Sequence, residues 1–459
     1  MSDQSPAPSP APDSDSEPKA SGAATHRAAI SAIRGMADVF PAEARRFRHV
    51  EETARAVFVR HGYGEIRTPA IEPTELFART VGDSSDLVVS KQMYTFTDPG
   101  DRGNTLRPEG TAGTVRALVE DGLLKRESSA KVFYIGPMFR YEKPQKGRLR
   151  QFTQIGCEHF GVAHAAADAE LVCLCHMLLS ELGFRGLKVK LNTLADRDDR
   201  RAYNGALSGA ITAAAAAARM ADPDRNGPWA ADWDHLAAVN PMRVFDTKVE
   251  AARPWLRGLP RMDAHVGPDA AAHFALLRGL LDDAGVPYEI DADLVRGLDY
   301  YCRTVFEVVA TEGMGSQSAI LGGGRYDYLV EELGGPPTPA LGMAVGVERL
   351  LLAMEALGLG PVDDTPPAAF IAALDDAGLP SAFRLAREAR AAGVRVAFEP
   401  QPRKAKAAMK LADRSGAPVA YLIGGDEAAT ATASRKDMAT GEQNQVALSA
   451  ISFAENSPA

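Results

Sequence analysis

Apolar residues recur at helical spacing between positions 41 and 61, at Phe47, Val50, Ala54, Val57 and Phe58. This spacing predicts a helix with one buried face. Gly62 ends it and Pro69 interrupts the next stretch. From 93 to 161 the pattern changes to short strands, at 93–97, 130–141 and 150–157. The runs 132–141 and 149–158 flank a polar loop, 142–148, which predicts a hairpin-like pair with a long basic connection. Residues 165–182 and 195–220 read as helices, the second containing an unbroken alanine run from Ala213 to Ala218. A strand is expected at 186–193. The stretch 222–265, rich in Pro, Trp and Asp, reads as part of an insertion within one sheet.

Strands return at 288–291 and 305–309, before a small-residue run at 318–324 and a helix at 346–357. Residues 363–367 read as a linker. Beyond it strand and helix alternate: strand 369–373, helix 380–392, strand 394–398, helix 403–415, strand 418–423. Such alternation predicts a small parallel sheet with helices on its faces. The fold class is therefore α+β, a mostly antiparallel domain followed by a small α/β domain. Three segments result: a disordered Pro/Ala/Ser-rich tail at 1–27, a main domain at 28–360 with an insertion at about 185–265, and a terminal domain at 366–455. The tail carries prolines at 6, 8, 10, 12 and 18 and almost no large apolar residue, too little to offset its ordering entropy.

Composition narrows the class. No apolar run approaches the ~18 residues needed to span a membrane, and the N-terminus lacks the pattern of a secretory signal. The four cysteines, Cys157, Cys173, Cys175 and Cys302, match neither a disulfide framework nor a common zinc spacing. A reducing cytoplasm is expected. A net charge of -9 argues against nonspecific coating of nucleic acid, though local patches count for more than the sum.

Four segments could carry chemistry. Arg107-Pro108-Glu109-Gly110-Thr111 lies between a strand and a helix that Thr111 could cap, and a carboxylate fixed at such a turn can hold an ammonium. Phe139-Arg140-Tyr141-Glu142 leads into a loop with Lys143, Lys146, Arg148 and Arg150, suited to polyphosphate or a nucleic-acid end. On the returning strand, positions 154, 156 and 158 share one face. Gln154, Gly156 and Glu158 make a poor core and a plausible pocket wall. Arg296-Gly297-Leu298-Asp299-Tyr300-Tyr301 mixes groups that orient a polar heterocycle and stabilise phosphate charge. Gly322-Gly323-Gly324-Arg325-Tyr326-Asp327 is followed by 340–350, where a strand becomes a helix at Gly346 with Arg349 in its first turn. It matches neither the P-loop nor the dinucleotide fingerprint.

Together these segments resemble the class II aminoacyl-tRNA synthetases, and specifically the histidyl-tRNA synthetase family. The helix and strand ending at Pro69 look like its first motif, 139–154 like its second and 342–350 like its third. The run 296–301 resembles the histidine-specific motif, and 321–327 and 107–111 also match. The resemblance covers about 33–450. It implies an antiparallel class II sheet with flanking helices, a C-terminal anticodon-binding domain and a homodimer. It implies histidine activation with ATP and Mg2+, and transfer to tRNA(His). Carried over by position, Glu109, Gly110, Thr111 and Gln154 hold the α-amino group of L-histidine. Glu158 and Tyr301, with Tyr300, read the imidazole. Arg140 binds the α-phosphate of ATP, and Arg296 is the catalytic arginine. Glu142 lies near adenine, Arg349 at the γ-phosphate, and Gln145 with Arg148 meets the tRNA end.

One departure stands out: Cys302 follows Tyr301 where the family often has Thr, and little effect is expected. Residues 366–459 hold 11 Lys/Arg and 10 Asp/Glu. Arg403, Lys404, Lys406, Lys410 and Arg414 are expected on one helix, fit for tRNA phosphates. The rival reading is a histidine-binding regulatory paralogue of ATP phosphoribosyltransferase. Such paralogues usually lose the anticodon domain and degrade the 296–301 run, and this chain keeps both.

Overall fold

The computed structural model describes residues 30–81, 92–143, 145, 147–247, 249–295, 300–310, 319–360 and 366–453. The chain forms two compact units, one within Met1–Gly360 and one within Pro361–Ala459.

The first unit is built on an eight-stranded sheet. Its strands in chain order are β1 (Gly64–Glu65), β5 (Ala130–Phe139), β6 (Gln151–Phe160), β7 (Leu187–Thr193), β8 (Tyr288–Ile290), β9 (Cys302–Ala310), β10 (Ala319–Arg325) and β11 (Ala340–Gly346). They lie side by side as β1-β5-β6-β11-β10-β9-β7-β8. Only the outer pairs β1/β5 and β7/β8 run parallel. The antiparallel expectation therefore holds, and the small-residue run near 318–324 is itself a strand. Three more strands, β2 (Ile71–Pro73), β3 (Tyr94–Thr97) and β4 (Gly103–Leu106), form a separate antiparallel sheet.

Helix α1 (Pro41–Arg60) buries Phe47, Val50, Ala54, Val57 and Phe58, the face its spacing predicts. That face joins one core with Leu171, Cys175 and Leu178 of a helix at Ala165–Glu181 and with strand residues such as Ile155, Val189 and Met343. The further helices that frame the sheet and site are α2 (Thr111–Asp121), α3 (Ala165–Glu181), α4 (Arg197–Ala221), α5 (Pro223–Val239), α6 (Pro268–Asp283) and α7 (Val347–Ala356). Helices α4 to α6 lie between β7 and β8, which bounds the inserted part. Ala215 and Ala218 of the alanine run are buried in one cluster with Trp229 and Trp233 of α5, so the run serves close helix packing.

The second unit has a five-stranded sheet ordered β13-β12-β14-β15-β16. Strands β12 (Ala369–Ala373), β13 (Val396–Glu399) and β14 (Val419–Ile423) are parallel, with helices at Leu379–Ala391 and Ala405–Ser415 between them. The wholly parallel sheet expected from the sequence is corrected by β15 (Thr432–Asp437) and β16 (Gln443–Ala447), which add antiparallel. Their residues are too polar for apolar alternation to signal a strand, and the backbone ladder recruits them with Ala433 and Val446 packing on the core. The cation cluster is also corrected. Lys406, Lys410 and Arg414 lie on the helix, whereas Arg403 and Lys404 precede it, and the Arg403 N–H donates to the carbonyl of Ala373.

Candidate functional site

The site grows from the middle of β6, which is hydrogen-bonded on both sides. Its register sets Gln154 opposite Gly136 and Gly346, Gly156 opposite Tyr134 and Ala344, and Glu158 opposite Val132 and Gly342. Side chains alternate across a strand, so Gln154, Gly156 and Glu158 share a face. The glycines are required by what stands over them. A Cβ on Gly342 would lie 1.7 Å from Oε2 of Glu158, and one on Gly156 would lie 2.4 Å from the Tyr134 hydroxyl. A Cβ on Gly110 would strike the same Tyr134 ring at 2.2 Å.

Glu158 is buried, and hydroxyls from three elements converge on it. Thr111 donates to Oε1 at 2.8 Å and Tyr134 to Oε1 at 3.3 Å, while Tyr326 donates to Oε2. Burial pushes its carboxyl up to about 8, although the bonds from Tyr326, Thr111 and Tyr134 oppose the rise. The rings of Tyr300, Tyr301 and Tyr326 cluster beside it, with centroids 4.7 Å apart for the first pair and 5.4 Å for Tyr300 and Tyr326.

Next to this lies the N-terminus of α2. Thr111 does not cap it: Thr111 is the first helical residue, Gly110 is the N-cap, and the first free N–H groups are taken by the Glu109 carboxylate. Its oxygens accept the N–H groups of Thr111 at 2.6 Å and Ala112 at 2.9 Å. The longer reach of Glu from one residue further back suits these donors better than the threonine hydroxyl, which turns to Glu158. Gln154 Oε1 accepts the Gly110 N–H at 3.0 Å. Burial raises the Glu109 carboxyl above its usual range, against the pull of the Ala112 and Thr111 N–H groups.

Arg140, just past β5, donates from Nε to the Pro108 carbonyl at 2.8 Å and packs over the Phe152 ring at 5.1 Å. Burial lowers its pKa, but a guanidinium keeps its charge in a protein. Glu142 sits 3.9 Å from Arg140 and 3.7 Å from Arg148.

Of the residues singled out by sequence, Glu109, Thr111, Arg140, Glu142, Arg148, Gln154, Glu158, Tyr300, Tyr301 and Arg349 line one cavity of about 410 Å³. Gly110 lies behind it, its N–H taken by Gln154. Gln145 is exposed, is bridged through its backbone to Arg148, and does not line the cavity. Arg296 lies outside the described residues. Cys302 is buried, and its Sγ accepts the Asp327 N–H at 3.3 Å. Sequence reasoning gave no role to Tyr134, Tyr326 or Glu348. Tyr326 stood in a matched motif, and its hydroxyl was the available signal. Tyr134 is found only through its register opposite Gly156. Glu348 lines the cavity, accepting the Thr153 N–H at 2.7 Å through Oε1.

A cavity that joins a buried carboxyl ringed by hydroxyls to a line of arginines can hold a polar heterocycle at one end and phosphates at the other. The histidyl-tRNA synthetase family profile matches residues 35–350, and an anticodon binding domain profile matches 368–452. The histidine–tRNA ligase of Anaeromyxobacter dehalogenans strain 2CP-1 is 45% identical over 422 residues, 92% of this chain and 98% of that one. That of Nitratidesulfovibrio vulgaris strain Hildenborough is 43% identical, over 92% of this chain and 97% of its own. Among solved structures, the apo histidyl-tRNA synthetase of S. aureus superposes with a TM-score of 0.74 at 33% identity, covering 92% of this chain and 98% of that one. On its sequence, its sheet and its cavity, this chain belongs to the histidyl-tRNA synthetase family.

Proposed function

We propose that the chain is a histidine–tRNA ligase: it joins L-histidine to ATP as histidyl-adenylate, releases pyrophosphate, and transfers histidine to the 3′ end of tRNA(His). The observation that carries this is the single cavity in which Glu109, Gln154 and Glu158 share walls with Arg140 and Arg349.

In this reading the histidine ammonium meets the Glu109 carboxylate, with Thr111 and Gln154 beside it. The imidazole lies against Glu158, Tyr300 and Tyr301. A site built to hydrogen-bond a ring nitrogen rejects amino acids that leave its buried groups unpaired, by ~10⁴ or more. The carboxylate then attacks the α-phosphorus, so two anions must be brought together. Arg140 neutralises the α-phosphate, Arg349 holds the γ-phosphate, and Arg296 completes the catalytic set from the segment outside the described residues. Their work is positioning and charge stabilisation. Glu142 lies on the adenine side. Gln145 and Arg148 meet the tRNA end.

Mg2+ fits the residues present. Among the described residues no group of three or more His, Cys, Asp or Glu could hold a resident ion. Glu307 and Glu348 line the cavity, and one or two carboxylates plus substrate phosphates is the usual setting for this ion. When bound, it would neutralise charge on the triphosphate.

The second unit supports anticodon binding, with Lys406, Lys410 and Arg414 exposed on one helix. A homodimer through the first motif is supported by Ile33, Phe40 and Val59, which are largely exposed in and before α1. Cytoplasmic placement is supported by four free cysteines, and no described helix is long and apolar enough to cross a membrane. The chain spans 98% of its Anaeromyxobacter relative, the anticodon part included, which weighs against the regulatory paralogue.

The test is ATP–pyrophosphate exchange with each amino acid, without tRNA. Exchange with histidine alone, lost in Arg296→Ala, is expected. Histidine binding with no exchange would overturn the reading and favour the regulator.

A further inference from the structure

Near the tyrosine cluster runs a row of polar and charged groups that the proposed chemistry does not use, buried at His273, Asp168 and Arg325 and half-buried at Asp196, Arg303 and Asp327. Arg303 is clamped by Asp196, with Nε 2.6 Å from Oδ1 and Nη2 3.0 Å from Oδ2. Its Nη1 lies 3.4 Å from Nδ1 of His273 in α6, whose Nε2 lies 3.3 Å from Oδ2 of Asp168 in α3. Asp168 in turn holds Arg325, at 3.2 Å to Nε and 2.5 Å to Nη2, and Arg325 Nη1 lies 3.0 Å from Oδ1 of Asp327. The row thus runs Asp196, Arg303, His273, Asp168, Arg325, Asp327, with acids at both ends and one in the middle. Arg325 is 0% exposed and Asp168 1%.

Both arginines stand at the ends of strands that pocket tyrosines flank, Tyr300 and Tyr301 before β9 and Tyr326 after β10. Arg325 is the last residue of β10 and directly precedes Tyr326, whose hydroxyl grips Glu158. Arg303 follows Tyr301 by two positions. There β9 and β10 lose register: Gly324 pairs with Val305, but Arg325 pairs with Cys302, so Arg303 and Thr304 form a bulge. Arg303 has φ 46 and Ala195, which it meets across the sheet end, has φ 52. The two are locked by Arg303 N–H to the Ala195 carbonyl at 2.8 Å and Leu194 N–H to the Arg303 carbonyl at 2.7 Å. Arg200 of α4 also donates to the Tyr301 carbonyl. Left-handed backbone at a residue with a side chain is strained and persists only where its surroundings over-determine it. Bulges beside active sites re-aim side chains.

Stability does not explain such a row. Apolar residues of similar volume usually do as well as a buried ion pair or better. What the row supplies is direction: each forked guanidinium fixes one strand end against a helix.

We infer that Asp196, Arg303, His273, Asp168 and Arg325 form one positioning device that sets histidine specificity, holding the β9 bulge behind Tyr300 and Tyr301 and the β10 end behind Tyr326. The inference rests on the histidine-pocket reading above. None of these residues touches substrate in it. They act through the tyrosines. The anionic state of Asp168 fits the role: burial opposes it, yet the contacts from His273 and Arg325 hold its carboxyl down to about 2.

The experiment is histidine-dependent ATP–pyrophosphate exchange in Asp196→Asn, Asp168→Asn, Asp196→Glu and Arg303→Lys, each with separate KM values for histidine and ATP. Wild-type exchange is measured first, and its absence would sink the ligase reading rather than this one. The Asn variants are expected to raise the histidine KM by about tenfold to a hundredfold, the order for ångström-scale misplacement, with the ATP KM within about twofold of wild type. Asp196→Glu keeps the carboxylate and should recover part of the loss. Arg303→Lys keeps charge without the fork and should fall between. It also keeps the test open if an Asn variant does not fold. The Asp196→Asn/Asp168→Asn pair should be non-additive in histidine KM. An unchanged histidine KM, parallel shifts in both KM values, a fall in kcat alone, or strict additivity would overturn the proposal.

Discussion

The hydroxyl of Thr111 donates to Oε1 of Glu158 at 2.8 Å, and this bond ties the first turn of α2 to the middle of β6. In the proposed reading it joins the part of the site that meets an α-amino group to the part that meets a side chain. A substrate is therefore measured along its length by a connected set of groups.

The Glu158 carboxyl gives a pH dependence with a definite sign. Burial lifts it from 4.5 in the unfolded chain to about 8 in the fold. Between those values the folded state holds a proton that the unfolded state has lost, so stability falls as pH rises. Chemical denaturation between about pH 5 and pH 8 should show this downward slope, and Glu158→Gln should flatten it. Binding a ring N–H needs the carboxylate, so the histidine KM should improve as pH approaches 8 and the Gln variant should lose that trend. An identical pH profile in both proteins would place the titrating group elsewhere.

Gly342→Ala should damage histidine recognition and also strain the β6/β11 pairing, since the added Cβ would lie 2.7 Å from the Cys157 carbonyl oxygen. The added Cβ would fall 1.7 Å from Glu158 Oε2, so the carboxylate must turn away from Tyr326. Histidine-dependent exchange should drop by about a hundredfold, as expected for a misplaced reacting geometry. A variant with normal exchange would show that the carboxylate position is not limiting.

Arg140→Ala should lower kcat for exchange by roughly 10²–10³, the usual cost of removing one charge-stabilising donor. Histidine binding measured calorimetrically without ATP should change little. Equal losses in both assays would assign Arg140 to the amino-acid end instead.

Replacing Lys406, Lys410 and Arg414 together by Gln should raise the KM for tRNA and flatten its salt dependence by about one unit of log–log slope per lost phosphate contact. Exchange without tRNA should be untouched. An unaltered salt slope would return these cations to the role of a solvated face.

Much of the scaffold was legible because burial leaves a periodic trace. The buried face of α1 is the set of five residues that helical spacing picks out, and the Gln154–Gly156–Glu158 face follows from strand alternation alone. What was lost depends on partners distant in sequence. Tyr134 gains its meaning from Gly156 across the hairpin and from Gly110 beside α2. The capping of α2 by Glu109 in place of Thr111 turns on which oxygen reaches the helix N–H groups. The polar strands β15 and β16 carry too few apolar residues for alternation to show, and Ala433 and Val446 are the ones that pack on the core.

The three hydroxyls on Glu158 come from positions 111, 134 and 326, with Glu158 between the second and third. No short stretch of chain contains this grip, so it forms only after contacts of large sequence separation have closed. A growing chain on the ribosome therefore has no pocket around Glu158, the one proposed for histidine, until the strands around Tyr326 and Gly342 have emerged. Histidine can then act as a late lock on the finished unit, adding stability by mass action to the native state alone, and never as a template for its early steps.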